Sequence, residues 1–492
     1  MSFLNIQNLT FSYDGSYDNL FEQVSIQIDT DWKLGLTGRN GRGKTTFLKL
    51  LLGSYEFSGS ILSSVSFEYF PFNVADKTHN TIDIVDGICT DYPYWKLVRE
   101  LNLLDVSEDV LYRSFDTLSN GEQTKILLAA LFVKENRFLL IDEPTSHLDR
   151  NGRELVSQYL NGKSGFILVS HDRAFLDGCV DHILSINRNN IEIQQGNYSS
   201  WMQNKERQDH FELAEHEKLK KEIKKLTESA KEKADWSNKV EKSKYHTRIA
   251  GLRPDTGRIG HKAAKLMKRA KTIEIRSQDA VEEKSKLLKN IEKCEELKLS
   301  QLAYFKDRLV TLRDISIAYG ETSICKPVSF CIDKGDRIAL SGRNGSGKSS
   351  IIKLICGEDI PYAGHLEKGS GLIISYVSQD TSFLYGSLKE YARRNDIDET
   401  LFKAILRKLD LSRVQFEKDI RDFSEGQKKK VLLAKSLCEK AHLLIWDEPL
   451  NFMDIIARKQ LETLLLASKP TILFVEHDRI FCENIATKVI TL

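Results

Sequence analysis

Gly38-Arg39-Asn40-Gly41-Arg42-Gly43-Lys44-Thr45 follows the apolar run WKLGLT and leads into TFLKLLLG; the fold is read outward from this stretch. A buried strand, a glycine-rich turn and a helix start in that order are the structural setting of a phosphate-binding loop, beyond its letters alone. Glycines let backbone N–H groups close around phosphate oxygens, and a helix N-terminus favours their charge. Lys44 is placed to reach terminal phosphates, and the Thr45 hydroxyl to ligate Mg²⁺.

The stretch occurs twice. Gly342-Arg343-Asn344-Gly345-Ser346-Gly347-Lys348-Ser349 follows DRIALS and precedes SIIKLICG. Thr46 and Ser350 are the next hydroxyls at the two helix starts. Other landmarks repeat at nearly the same offset. LSNGEQ (Leu118–Gln123) matches FSEGQK (Phe423–Lys428), placing Ser119 and Ser424 305 residues apart. RFLLIDEP and HLLIWDEP end in Asp142-Glu143 and Asp447-Glu448, again 305 apart, and His171 and His477 lie 306 apart. Landmarks sharing one offset mean a duplicated domain.

Between the copies the composition changes. From 201 to 300 there are 26 Lys+Arg against 18 Asp+Glu, a net +8 in a chain of net +2, leaving −6 elsewhere. Apolar residues recur in steps of four and three at Leu219, Ile223, Leu226 and Ala230. They recur again at Leu266, Ala270, Ile273, Ala280, Leu287 and Ile291, with Ser277 and Lys284 filling two places. That narrow seam predicts a coiled-coil type of pairing. Gly251, Pro254, Gly257 and Gly260 break the pattern between the runs. The expectation is an antiparallel helical hairpin over 201–304 with its tip near 244–260. Its arms, of about 40 residues each, would reach about 60 Å. Residues 239–276 hold 12 basic side chains against Glu241, Asp255 and Glu274. Mixed charge on the outer arms is ordinary solvation; the excess near the tip predicts a polyanion contact, most plausibly nucleic acid. Lys244, Tyr245, His246, Arg248 and Arg253 are the candidate RNA contacts at the tip, and Lys262, Lys265, Lys268 and Arg269 those on the return arm.

Length and composition set the outer bounds. A chain of 492 residues, 41% hydrophobic and 29% charged, is long enough for three domains with real cores. No apolar run approaches the ~20 residues of a membrane span. The first residues alternate like a strand and show no secretory leader. Eight cysteines without a CxxC pair read as reduced thiols, so a cytoplasmic location is expected.

Two such loops, LSxGQ-like motifs, Asp-Glu strand ends and late histidines resemble the ATP-binding-cassette ATPase family over about 390 residues. The implied fold is α/β: two tandem P-loop ATP-binding-cassette domains, 1–200 and 305–492, joined by the long helical hairpin. In that family two cassettes face head to tail. Carried over, Lys44, Thr45, Asp142, Glu143 and His171 share one ATP with Ser424 and Gly426. Lys348, Ser349, Asp447, Glu448 and His477 share the other with Ser119 and Gly121. Gly38, Asn40, Gly41 and Gly43 line the first phosphate loop; Gly342, Asn344, Gly345 and Gly347 line the second. Phosphoryl transfer to water needs a neutralised γ-phosphate, a metal and a carboxylate that orients the water. Asp142 and Asp447 suit the Mg²⁺ shell with Thr45 and Ser349, Glu143 and Glu448 the base, and the two histidines a γ-phosphate sensor. Tyr13 and Tyr319 are the candidate adenine-stacking rings. Gln379, in ISYVSQD, matches the family's γ-phosphate-contacting glutamine and is a further metal candidate. The first half carries Phe72 there, which puts equal turnover at the two sites in doubt.

Both halves and a linker on one chain resemble the ABC-F class. That resemblance implies a monomer with two intramolecular ATP sites, bound to the 70S ribosome with its hairpin directed to P-site tRNA and 23S rRNA. GHKAAKLMKRAK (260–271) is similar to the antibiotic-resistance, Vga/Lsa-type branch. Thr45 to Ser119 is 74 residues and Ser349 to Ser424 is 75, leaving no room for an extra arm insertion. Fifteen residues follow His477, so no C-terminal extension is expected. Protection from lincosamides, streptogramin A or pleuromutilins is what that resemblance implies. A housekeeping translation factor is the alternative, and an ATPase subunit docked on a membrane transporter a second.

Overall fold

The computed structural model describes residues 2–492 apart from 15–18, 135–136, 188–189, 243–256, 259–260, 263, 266, 270, 274, 276–296, 298, 300 and 320–321. It comprises two compact units, Met1–Ser199 with Cys294–Leu492, and Ser200–Lys293.

The first unit holds two α/β repeats. Each begins with an antiparallel sheet whose central strand alternates inward and outward. In Phe3–Phe11 the inward side chains are Leu4, Ile6, Leu9 and Phe11, the register shifting where Asn8 adopts φ 51°. Arg308–Tyr319 repeats the pattern, with Asp314 at φ 51°. A period-two stripe covering a core gives this one-sided burial. Beneath lies a mainly parallel sheet, its strands in the order 66–70, 137–142, 166–169, 33–37, 182–186 and 191–195. The counterpart is 374–377, 443–447, 472–475, 337–341 and 488–491. Phe166–Val169 and Ile472–Val475 are buried at every residue, as strands covered on both faces must be. Leu34, Leu36, Phe47, Leu48, Phe138 and Ile167 join the two sheets in the first repeat; Ile338, Leu340, Ile351, Ile352, Leu443 and Leu473 do so in the second.

The phosphate loops leave the C-terminal ends of Lys33–Thr37 and Arg337–Ser341 and enter Lys44–Leu51 and Lys348–Cys356. The LSxGQ-like motifs start Asn120–Val133 and Glu425–Cys438, each closed by a capping box: Ser119 with Glu122, Ser424 with Gln427.

In the second unit, Tyr198–Lys242 is a single helix of 45 residues that begins in the first unit. Side chains of the outgoing seam, and most of the returning one, lie outside the described residues. Gly257 and Arg258 are helical, as are the described positions from 261 to 275. Gly257 is itself helical, and glycine costs a helix only about 1 kcal/mol; the other three residues read as breakers lie outside the described residues.

Candidate nucleotide sites

The two sites are built alike. Gly43 (φ 89°) and Gly347 (φ 90°) turn each loop into its helix through a left-handed conformation; a Cβ on Gly43 would stand 2.8 Å from Leu20 Cδ2. Lys44 Nζ donates to Gly38 O (2.8 Å) and Arg39 O (3.2 Å), and Lys348 Nζ to Gly342 O (2.9 Å) and Arg343 O (2.8 Å). Each ammonium is curled into a phosphate-shaped cradle of its own loop, and burial pushes both lysines down.

Glu143 and Glu448 follow the Asp-ending strands at φ 49° and 48°. Their backbone N–H groups donate to Val169 O and Val475 O at 2.9 and 3.0 Å. A left-handed glutamate is costly, and the neighbouring strand end holds each in place. His171 Nε2 lies 3.5 Å from Glu143 Oε1, and His477 Nε2 the same distance from Glu448 Oε1.

Strand register equates Phe72 with Gln379: Phe70 pairs with Ile141 as Val377 pairs with Trp446, one residue before each aspartate. Gln379 Nε2 donates to Glu448 Oε2 at 2.9 Å, and Asn451 Nδ2 to the same oxygen at 2.5 Å. Burial alone would raise Glu448, but His477, Lys429 and Lys348 together hold it below the usual carboxylate range. Glu143 Oε1 is buried without a hydrogen bond, and Lys44, Arg458 and the His171 N–H offset its burial only in part. Burial, with Asp142 beside it, pushes its carboxyl up to about 7. Burial also lowers His171 far below the usual imidazole value, so that ring is neutral.

The aspartates differ too. Asp142 Oδ2 accepts from Thr45 Oγ1 (2.8 Å) and from Tyr69 OH (3.1 Å). Both Asp447 carboxylate oxygens are buried with no hydrogen bond of normal geometry, from Ser349 or otherwise, and burial raises that group to about 6. Two orphaned buried oxygens beside a hydroxyl fit a hard divalent cation, which takes one or two protein oxygens and completes its shell with phosphates and water.

The repeats meet through equivalent bonds. Asn344 Nδ2 donates to His147 O at 3.3 Å, and a Cβ on Gly121 would lie 3.5 Å from that oxygen. Asn40 Nδ2 donates to Phe452 O at 3.0 Å, and a Cβ on Gly426 would lie 2.5 Å from it. Each phosphate loop thus faces the other repeat's signature glycine across one carbonyl. Lys348, Ser349, Ser350, Gln379, Glu448 and His477 line one cavity of about 960 Å³ together with Ser119 and Gly121. At the other junction Asp454 adds a carboxylate: Oδ2 lies 3.5 Å from Asn40 N and 3.8 Å from Lys430 Nζ.

The family model described as "ABC transporter" matches residues 21–146 and 325–451. The chain belongs to that family. It is a tandem ABC ATPase of the ABC-F type; it binds ATP and hydrolyses it. It is 27% identical over 514 residues to ATP-binding protein Uup of Buchnera aphidicola subsp. Acyrthosiphon pisum, covering 99% of this chain and 80% of that one. It is 28% identical over 494 residues to Ribosome protection protein VmlR of Bacillus subtilis, covering 96% and 84%. The archaeal ribosome recycling factor aABCE1, solved in complex with the ribosomal stalk protein aP1, superposes with a TM-score of 0.65 at 18% identity. That match covers 98% of this chain and 87% of that one, and shows the shared fold.

Tyr13 is exposed beside the first loop, its OH 2.5 Å from Thr46 Oγ1, and packs edge-on against Phe11 and Tyr55. The Tyr319 ring, and Lys244, Tyr245, His246, Arg248 and Arg253, lie outside the described residues. Lys262, Lys265, Lys268 and Arg269 are exposed on helix. Residue types alone did not single out Tyr69 and Asn451. Tyr69 reads as a packed strand residue. Asn451 sits in PLNFMD (449–454), where the first repeat reads PTSHLD (144–149), and that difference is the signal the sequence offers.

Proposed function

We propose that this ABC ATPase binds the 70S ribosome, directs its linker towards P-site tRNA and 23S rRNA near the peptidyl-transferase centre, and protects translation from antibiotics bound there. The observation that carries the reading is the linker. A 45-residue helix opens a linker whose residues 201–300 carry net +8 within a chain otherwise net negative. Such charge suits phosphate backbones. No helix among the described residues is long and apolar enough to cross a membrane. A similar chain bears the name Ribosome protection protein.

At each site the glycine loop and lysine hold the phosphates. The glutamate orients and deprotonates the attacking water, and the histidine steadies the glutamate. Asp447 with Ser349, and Asp142 with Thr45, would hold Mg²⁺, which supplies charge neutralisation on the transferring phosphoryl group. Tyr13 and Tyr319 would stack on adenine. ATP closes the paired repeats on the ribosome, and hydrolysis opens them for release in the cytoplasm. The linker's arms form the antiparallel coiled-coil hairpin between domains 1–200 and 305–492.

A housekeeping translation role is the second reading, favoured by the comparable identity to Uup. Drug-challenged translation separates them. Replacing 246–256 with a few glycines abolishes protection if the linker tip acts at the drug site, and basal ATPase survives. A shortened protein that still protects overturns the reading.

A further inference from the structure

The duplication supplies an internal control for every surface residue, and one face fails to match. Tyr94–Leu103 and Glu399–Lys408 are helices of equal length displaced by 305 residues. Their inward positions agree: Leu97, Leu101 and Leu104 are buried, as are Phe402, Leu406 and Leu409. Their outward positions do not. Tyr94, Trp95, Leu103 and the following Tyr112 are 41%, 63%, 52% and 65% exposed. The matched positions are Glu399, Thr400, Lys408 and Glu417.

Trp95, Arg99 and Leu103 stand one turn apart on a single ridge, the Arg99 guanidinium 5.6 Å from the Trp95 ring centre. Tyr94 OH donates to Glu108 Oε1 at 2.7 Å and lies 3.2 Å from Tyr112 OH, which ties the second aromatic pair to the helix. The segment that carries the patch is acidic in sequence. Residues 76–117 carry nine Asp+Glu against four Lys+Arg, net −5, while the matched window 381–422 carries eight against nine, net +1.

We propose that this face of the first repeat is a docking surface for a lysine- and arginine-rich protein segment. The fold does not require these side chains, since its other copy does without them. Exposed Trp and Tyr in one patch are the residue types that dominate protein interfaces. Open aromatic faces attract ammonium and guanidinium groups. The net negative charge of this segment steers a cationic partner and repels RNA and anionic lipid. The basic linker suits phosphates, so the two surfaces divide the partner chemistry between them. Leu103 is two residues from Asp105, which lines the 960 Å³ cavity, so the docked segment sits at the rim of a nucleotide site.

The test transplants the second repeat's own residues: Tyr94→Glu, Trp95→Thr, Leu103→Lys and Tyr112→Glu together, with unchanged basal ATPase as the check on folding. A fluorescent lysine–arginine decapeptide titrated against the full chain is expected to bind the substituted protein at least fivefold more weakly; equal binding overturns the proposal. A second arm rests on the ribosome reading. Benzoylphenylalanine replaces Leu103 in the Glu143→Gln/Glu448→Gln protein, which is photolysed on purified 70S ribosomes with ATP. A cross-link to a basic ribosomal protein, lost with the other three substitutions, is expected. Cross-links only to rRNA, or only to a second copy, overturn the proposal. If that protein does not pellet with ribosomes at all, the ribosome reading fails by itself and the peptide titration decides this one.

Discussion

Gln379 Nε2 donates to Glu448 Oε2 at 2.9 Å, whereas Phe72, in the same strand register of the first repeat, has no polar group to offer Glu143, whose Oε1 is buried unbonded. The two glutamates, nearly identical in φ, also sit in opposite electrostatic states: burial of Glu448 is outweighed by His477, Lys429 and Lys348, whereas burial and Asp142 dominate at Glu143. Glu448 is held below its ordinary value and Glu143 is raised to about 7.

Opposite states give opposite stability effects in nucleotide-free protein kept in EDTA. A carboxyl raised in the folded state favours folding only while protonated, and that contribution is lost as pH rises from its unfolded value of 4.5 towards 7. Glu143→Gln therefore raises stability at pH 8 by on the order of 1–3 kcal/mol, at about 1.4 kcal/mol per pH unit, read as a higher Tm, and the gain shrinks towards pH 4.5. A depressed carboxyl stabilises above its unfolded value and loses that contribution on acidification, so Glu448→Gln lowers Tm at pH 8. Thermal unfolding at pH 8 and pH 5 checks both signs; shifts of the same sign at pH 8 contradict the assignment.

Turnover should be unequal in the same sense. The site built on Lys348 has a charged, doubly bonded glutamate, so Glu448→Gln should remove most ribosome-stimulated ATPase, on the order of 10²-fold or more for loss of a positioned base. Glu143→Gln should leave the larger share. Phosphate release by the two single variants measures this, and an equal or greater loss from Glu143→Gln refutes the argument from Phe72.

A second paired difference ties the turn after each glutamate to its histidine strand. Thr145 Oγ1 and Ser170 Oγ are 3.2 Å apart in the first repeat. At the matched positions Leu450 N donates to Glu476 Oε1 (2.7 Å), and His477 N donates to Glu476 Oε2 (3.1 Å). Leucine has no side-chain partner to give, so the longer carboxylate reaches the backbone instead. In a Glu143→Gln background, Glu476→Ser should lower kcat about tenfold, and adding Leu450→Thr should restore at least half. The coupling expected for contacting residues is about 0.5–3 kcal/mol. Strictly additive losses in the cycle would rule out the pairing.

Neutralising Lys262, Lys265, Lys268 and Arg269 should weaken ribosome association and flatten its salt dependence. Each lost phosphate contact removes about 0.7–0.9 from the log–log slope. Pelleting across a salt series reads the slope, and an unchanged slope removes these residues from the RNA interface.

Much of this was legible in the sequence. The repeated loops, Asp-Glu strand ends and histidines established the duplication, and matching FEYFPFNVAD to ISYVSQD marked Phe72 as the counterpart of Gln379, 307 residues on, before any strand register was known. Contacts that need three dimensions were not legible. Tyr69 sits in an apolar strand, and only the sheet brings its hydroxyl to Asp142. The exchange of Thr145 and Ser170 for Leu450 and Glu476 joins positions about 25 residues apart across neighbouring strand ends, so neither difference explains itself alone. The left-handed turn at both glutamates is carried by a residue type that ordinarily avoids it; the neighbouring strand enforces it.

The central claim is that ATP closes the two repeats on the ribosome and hydrolysis releases them. It is tested most directly by pelleting the Glu143→Gln/Glu448→Gln protein with 70S ribosomes, with and without ATP. Removing the water-orienting carboxylates slows chemistry while leaving nucleotide binding largely intact. ATP-dependent retention several-fold above wild type is the result this account predicts; association equal to or weaker than wild type would contradict it.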